Sequence, residues 1–169
     1  NLSMLQTLLL EKNRSIQVHG IHSLATALSD LTCLQHWDLL EHIELLADSA
    51  VGLAPILGKI TTLQCLMLFA GRCPFLGIAL IAKAIGNLTA LAHLDLSWLP
   101  LDDWDSREVM RNIRHLYCLQ FLYTTTRKVS KTAAEALAHC VAGLPELQEF
   151  LYSDSHYKAV RTTQPRALL

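Results

Sequence analysis

A leucine motif recurs along the chain at an almost constant interval, and this repeat limits the fold more than any other feature. Successive copies begin 28 or 29 residues apart. The leucines that open them are Leu5, Leu34, Leu63, Leu91, Leu119 and Leu147. Three residues after each opener comes a second large apolar residue: Leu8, Trp37, Leu66, Leu94, Leu122 or Phe150. Because apolar positions then alternate with the others, each copy predicts a short strand with one buried face.

The second half of each repeat has a different apolar spacing, of three and four residues. Ile81, Ile85 and Leu88 show it in the third repeat, and this spacing predicts a helix with one apolar stripe. A single strand–helix unit cannot bury its own apolar face, whereas stacked units can. Helices are wider than the strand spacing of about 4.8 Å, so the stack must curve. The expected fold class is therefore α/β, a solenoid with a curved parallel sheet on its concave face and helices on its convex face.

The combined pattern, LxxLxLxxNxI followed by a small residue and LxxxLxxL, resembles the long leucine-rich repeats of the ribonuclease-inhibitor family. The resemblance covers residues 5–152, and the same repeat class occurs in NOD-like receptors, the Ran GTPase-activating protein and tropomodulin. It implies one domain over residues 1–160, with about five and a half repeats, and a tail or added remnant over 161–169. The family's asparagine at the ninth place of each repeat is present only as Asn13. Less regular loops are therefore expected after the strands, either freed for binding or altered by drift.

Composition excludes several other classes of protein. Apolar residues make up 51% of the chain and charged residues 17%, with a formal net charge of -1, so neither disorder nor nucleic-acid binding is expected. No uncharged apolar run reaches the roughly 18 residues of a membrane span, and no signal peptide is visible. The five cysteines form no CxxC pair, which favours a reducing, cytoplasmic location. Sequons at Asn1, Asn13 and Asn87 leave secretion open, since such triplets also occur by chance.

Side chains two, four and six residues after each opener are expected to face away from the helices, into the concavity. The candidate protein-binding residues among them, with Trp98 added at the rim, are His36, Asp38, Met67, Phe69, His93, Asp95, Trp98, Phe121 and Tyr123. Exposed aromatic residues and methionine beside a few charges are typical of a protein-binding surface. The alternative is that some of these side chains tilt into the core. Trp37 occupies a core leucine position, and Trp104 is expected to staple the start of the next helix.

Charged residues follow several of the predicted strands. Asp102, Asp103 and Asp105 come after the fourth, and Arg127 and Lys128 come after the fifth. Such charges at a rim can steer a charged partner. They are equally typical of solvated loops.

A catalytic or metal site is a sharper hypothesis for the same face. His36, Cys65 and His93 occupy one position on three adjacent strands, with Asp38 and Asp95 two residues further on. Strand steps of about 4.8 Å would place the two histidines roughly 10 Å apart at the backbone, too far for one zinc ion to bind both at about 2 Å. An open sheet also lacks a water-excluding pocket and an oxyanion hole. We therefore expect no enzyme activity, no metal and no cofactor.

Protein recognition is the function that these features favour. The resemblance to NOD-like receptors implies a sensing arm whose concave face and post-strand loops bind a protein of unknown identity. Two alternatives remain open: a regulatory or GTPase-activating protein that acts on a bound enzyme, and a structural spacer from a longer array. Self-association through uncapped ends is a further expectation, because solenoids need polar terminal repeats to stay soluble.

Overall fold

The computed structural model describes residues 3–10, 23, 26–28, 30–39, 47–69, 75–126, 130–154 and 159–162. Within them the chain forms one sheet whose strands follow one another in sequence order. The strands are β1 (Thr7–Leu9), β2 (His36–Leu39), β3 (Cys65–Phe69), β4 (His93–Leu101), β5 (Phe121–Thr126), β6 (Glu149–Asp154) and β7 (Ala159–Thr162). Strands β1 to β6 are parallel, and β7 pairs with β6 in the antiparallel direction.

Helices connect the parallel strands. They are α1 (Ala47–Leu57), α2 (Phe75–Ile85), α3 (Asp103–Ile113) and α4 (Lys131–Ala142), and residues 23 and 26–28 are also helical. Each helix packs against the next in chain order. Because parallel neighbours are joined by crossovers of one hand, the helices lie together on one face of the sheet. The predicted α/β architecture with a parallel sheet is confirmed.

The core lies between the sheet and the helices, and the repeated leucines form it. The openers Leu34, Leu63, Leu91 and Leu119 have no exposed surface. Trp37, predicted to replace a core leucine, is only 1% exposed. Burying one such side chain contributes roughly 1.5–3 kcal/mol relative to leaving it in water. Burial of the repeated apolar side chains therefore stabilises the packing of each short strand against the helices.

A backbone hydrogen-bond ladder joins the repeats where the strands begin. The carbonyl of Gln64 accepts from the N–H groups of both Ala92 and His93, at 2.8 and 2.9 Å. The carbonyls that accept two such bonds belong to Gln6, Gln35, Gln64, Ala92 and Gln120. This ladder fixes the first residue of each strand relative to its neighbour, so equivalent side chains on adjacent strands lie side by side.

Strand β4 departs from the regular pattern near its end. Phe69 pairs with Trp98 instead of Ser97, and Pro100 pairs with Thr125 after the pair Leu96–Thr124. The position six residues after the opener is therefore not equivalent in this repeat, contrary to the sequence prediction. Two causes are visible: the side chain of Asp95 accepts from the Ser97 N–H at 2.8 Å, and Leu99 and Leu101 are buried in the core. The extra residues form a bulge, as insertions in a strand usually do.

Candidate protein-recognition face

Among the described residues, the helices lie on one face of the sheet, and the other face carries none of them. In β5 the exposure alternates: Phe121, Tyr123 and Thr125 are half-buried, whereas Leu122 and Thr124 are buried toward the helices. The same alternation in the other parallel strands defines what we call the open face. It consists of Thr7, Leu9, His36, Asp38, Cys65, Met67, His93, Asp95, Phe121, Tyr123, Thr125, Glu149, Leu151 and Ser153.

Strand register places most of these side chains in two straight rows. The first row is Thr7, His36, Cys65, His93, Phe121 and Glu149. The second row is Leu9, Asp38, Met67, Asp95, Tyr123 and Leu151. The register thus brings together seven of the candidate binding residues predicted from the sequence, across β2 to β5. Neighbours within a row are separated by one strand spacing, about 4.8 Å.

Phe69 and Trp98 are the two remaining candidates. They are register partners at the ends of β3 and β4, but their side chains lie outside the part of the chain that the structure describes. Arg127 and Lys128 lie outside it as well. Their roles in binding therefore stay predictions.

Three rings form the centre of the open face. The His93 ring lies 5.2 Å from the Tyr123 ring in an edge-to-face arrangement, and 5.6 Å from the tilted Phe121 ring. Such separations are typical of favourable ring contacts. The Nε2 atom of His93 is buried in this group without a hydrogen-bond partner among the described residues. His93 is therefore held in place chiefly by packing.

Burial and nearby carboxylates set the ionisation of this centre. Burial lowers the pKa of His93 below its usual value, and Asp95 and Glu149 partly oppose that shift. Burial raises the pKa of the Cys65 thiol, and the charges of Asp38 and Asp95 raise it further. A lowered imidazole pKa and a raised thiol pKa both favour the neutral forms.

These shifts bear on the hypothesis of a cysteine nucleophile. A reactive cysteine needs a lowered pKa, so that the thiolate is present near neutral pH. The shift at Cys65 has the opposite direction. Among the described residues, no three His, Cys, Asp or Glu side chains are grouped so that they could hold a metal ion. The structure places His36, Cys65 and His93 in one row, but the raised pKa of the Cys65 thiol is the opposite of what an activated cysteine nucleophile requires.

The acidic residues after β4 have structural partners. The Asp102 side chain accepts from the backbone N–H groups of Trp104 and Asp105, and the Asp105 carboxylate accepts from the Asp102 N–H in turn. This reciprocal capping box starts α3. Asp103 accepts from the N–H of Ser130 at 2.8 Å, which joins two repeats, and the hydrogen bonds from Ser130 lower the pKa of Asp103. The interpretation of this segment as a rim for steering partners is thereby weakened.

The helical face holds a feature that the sequence analysis missed. A groove of about 410 Å³ lies between α1 and α2, with Val51, Pro55 and Leu80 among its lining and Lys59 and Lys83 beside them. Pro55 lies inside α1 and has no N–H, so the carbonyl four residues earlier loses its usual helical donor. Pro55 within the helical pattern of the second repeat was the one sequence feature that could have indicated an irregularity on this face.

Comparison with known proteins supports the fold. The C-terminal domain of tropomodulin from Caenorhabditis elegans superposes with a TM-score of 0.64 over 82% of this chain and 83% of that domain, at 13% sequence identity. Both chains have a leucine-rich-repeat-like fold. No protein-family model matches the sequence, and no curated protein matches it. Within the described residues, no helix combines the length and apolarity needed to cross a bilayer.

Proposed function

We propose that this chain is a solenoid of the ribonuclease-inhibitor type, with 28–29-residue repeats, that recognises a protein through its open face and the loops after the strands. The observation that carries the proposal is the group of half-buried aromatic and methionine side chains on the sheet face that carries no described helix. Leucine-rich-repeat solenoids of this class are curved, and the open face would then be concave. The fold alone would not support a function, since one fold hosts many.

The composition of the open face favours protein as the ligand. Phe121, Tyr123 and Met67 offer apolar area on rigid strands, and aromatic residues and methionine are enriched at the centres of protein interfaces. His36, Asp38, His93 and Asp95 add polar groups that can set specificity. Phe69 and Trp98 extend this surface in the sequence prediction.

A non-enzymatic, cytoplasmic role follows from the same proposal. The raised pKa of Cys65 argues against a thiolate nucleophile, and the open face of β1–β6 displays no lysine or arginine among its described side chains, which disfavours nucleic acid. The sensing arm of a NOD-like receptor and a regulatory protein acting on a bound enzyme are both compatible with such a surface. Unpaired cysteines in the described residues fit a reducing compartment.

A second copy of the chain is another candidate partner. Among the described strands β1 lies at one edge of the sheet, and Leu9 within it and Met4 before it are 59% and 74% exposed. Exposed apolar edge strands favour pairing with another chain. Self-association at this edge would leave the centre of the open face available.

Affinity capture from cytosolic extract tests the proposal. The double variant Phe121→Ser/Tyr123→Ser should lose the captured protein at least about tenfold, because each central anchor typically contributes more than about 1 kcal/mol. The matched control is Leu76→Ser/Tyr117→Ser, which removes one apolar and one aromatic side chain that are 60% and 57% exposed outside the open face. Circular dichroism would establish that both variants fold. Equal capture by the open-face variant and the intact chain would contradict the proposal.

A further inference from the structure

The open face has an unbalanced charge. Asp38, Asp95 and Glu149 are on it, whereas no lysine or arginine is among its described side chains in β1–β6. The whole chain is nearly neutral, with 14 basic and 15 acidic residues. The lysines and arginines whose side chains the structure describes lie on helices or in the turns next to them. They are Lys59, Lys83, Arg107, Arg111, Arg114 and Lys131. The negative charge of the open face is therefore a local property of that surface.

Two of the carboxylates are placed symmetrically in one row. Asp38 and Asp95 lie two strands apart with Met67 between them, so their backbones are separated by roughly 10 Å. Both aspartates raise the pKa of Cys65, which lies on β3 two residues before Met67. Asp95 and Glu149 both act to raise the pKa of His93. The fields of the carboxylates thus overlap at the middle of the face.

Apolar side chains lie among these charges. Met67 separates the two aspartates, and Tyr123 is the neighbour of Asp95 in the same row, with Phe121 beside it. Asp95 accepts from the Ser97 N–H at 2.8 Å, which holds its carboxylate in position. A half-buried carboxylate next to aromatic and thioether groups suits a ligand that has both an apolar stem and a cationic end. Lysine and arginine side chains have that structure, and a phosphate or carboxylate would be repelled.

We propose that the segment received by the open face carries an arginine or lysine side chain, which seats against Met67 between Asp38 and Asp95, with Tyr123 on the other side of Asp95. This inference rests on the proposed function and adds the chemistry of the partner. Arg161 lies on β7, at the far end of the sheet, where it is the register partner of Leu151. Because β7 is three strands beyond β4, Arg161 is far from the acidic centre.

Selection from a library of short random peptides tests the inference without a known partner. Peptides displayed on phage would be selected on the intact chain, and the selected peptides are expected to share an arginine or lysine. Replacing that residue by alanine, or using Asp38→Asn/Asp95→Asn protein, should weaken binding roughly tenfold or more, equivalent to about 1.4 kcal/mol. The control Glu135→Gln/Glu146→Gln changes the net charge equally at exposed positions on and after α4 and should bind within about twofold of the intact chain.

The outcomes separate this inference from the proposed function. The selected peptides could lack a preference for basic residues, bind the Asp38→Asn/Asp95→Asn protein normally and fail to bind the Phe121→Ser/Tyr123→Ser protein. That result would overturn the inference and leave the proposed function intact. Peptides that are insensitive to both double variants, or no selected peptide at all, would contradict the proposed function and this inference together. If the Glu135→Gln/Glu146→Gln control weakened peptide binding as much as Asp38→Asn/Asp95→Asn did, the effect would be one of net charge. That result would also overturn the inference.

Discussion

The two faces of the sheet are built from the same strands, yet they follow different physical rules. On the helical side Leu66, Leu94 and Leu122 repeat one residue type with no exposed surface. On the open side their immediate neighbours Met67, Asp95 and Tyr123 differ from strand to strand and are half-buried. A closely packed core tolerates little change of volume or polarity, whereas a face on which no described helix packs tolerates variety. The residues that determine which ligand binds are therefore to be sought on the open face, where the residue type changes from strand to strand.

The acidic residues of the two regions differ in the same way. Asp102 and Asp103, at the start of α3, are engaged in a helix cap and in a hydrogen bond to the next repeat. Asp38 and Asp95 lie on strands away from the helix N-termini, and Asp95 accepts one hydrogen bond there, from the Ser97 N–H of its own strand. The acids near the helices start a helix and join two repeats, whereas those on the open face lie beside aromatic and methionine side chains and are the better candidates for recognition.

Truncation of neighbouring residues in β3 should show the largest contrast between the faces. Leu66→Ala removes a fully buried side chain and should lower the free energy of unfolding by about 2–5 kcal/mol, because it leaves a cavity. Met67→Ala, on the open face, should cost about 1 kcal/mol, since it loses only partial burial. Urea denaturation followed by circular dichroism measures both values. Equal losses would mean that the open face is as much a part of the core as the helical side.

Removal of a helix cap should have an intermediate effect. Asp102→Ala deletes the acceptor for the Trp104 and Asp105 N–H groups and should lower the free energy of unfolding by about 1 kcal/mol. Glu146→Ala, at an exposed position in a turn, is the charge-matched control and should change it by less than about 0.5 kcal/mol. If Asp102→Ala proved neutral in the same denaturation assay, the assignment of these acids to structure would be wrong.

The smallest expected effect is a pH dependence that originates in the open face. The pKa of His93 is lowered in the folded chain relative to its ordinary value of 6.5, so below pH 6.5 the unfolded chain binds more protons than the folded one. Stability should therefore fall as the pH decreases from 6.5 toward the lowered pKa, and it should be fully retained above 6.5. His93→Asn should flatten this part of the profile of unfolding free energy against pH.

A histidine outside the open face provides the comparison for that measurement. His115 is exposed in the turn after α3, and His115→Asn should leave the slope of the intact chain in place. Each variant replaces one imidazole by an amide, one half-buried on the open face and one exposed outside it, so the difference between the two profiles reports the burial of His93. A His93→Asn profile parallel to that of the intact chain would contradict the burial of the neutral imidazole.

Several parts of the fold and the candidate site were predictable because they depend on local pattern. The alternation around Leu94 predicts which side of β4 is buried, and the constant interval between openers predicts that His36, Cys65 and His93 lie in one row. The structure places them so. The same count of residues predicts the open-face positions of Phe121, Tyr123, Met67 and the two aspartates, because side chains in a strand alternate with a period of two.

Other features were not predictable because they depend on contacts between distant residues. The bulge in β4 shifts Trp98 opposite Phe69, and it depends on where Leu99 and Leu101 can reach the core. The edge-to-face contact of His93 with Tyr123 depends on ring rotations that no sequence pattern specifies. The groove beside Pro55 exists only because α1 and α2 pack side by side.

The sequence by itself determined the strand–helix order, the buried face of each strand and the rows of side chains on the open face, because these follow from apolar spacing along one chain. Tertiary structure alone decided which carboxylates act together on the centre, which acids cap helices, and how the rings at the centre of the face contact one another. Ionisation, capping and ring packing depend on through-space distances between repeats, and those distances arise only when the repeats stack.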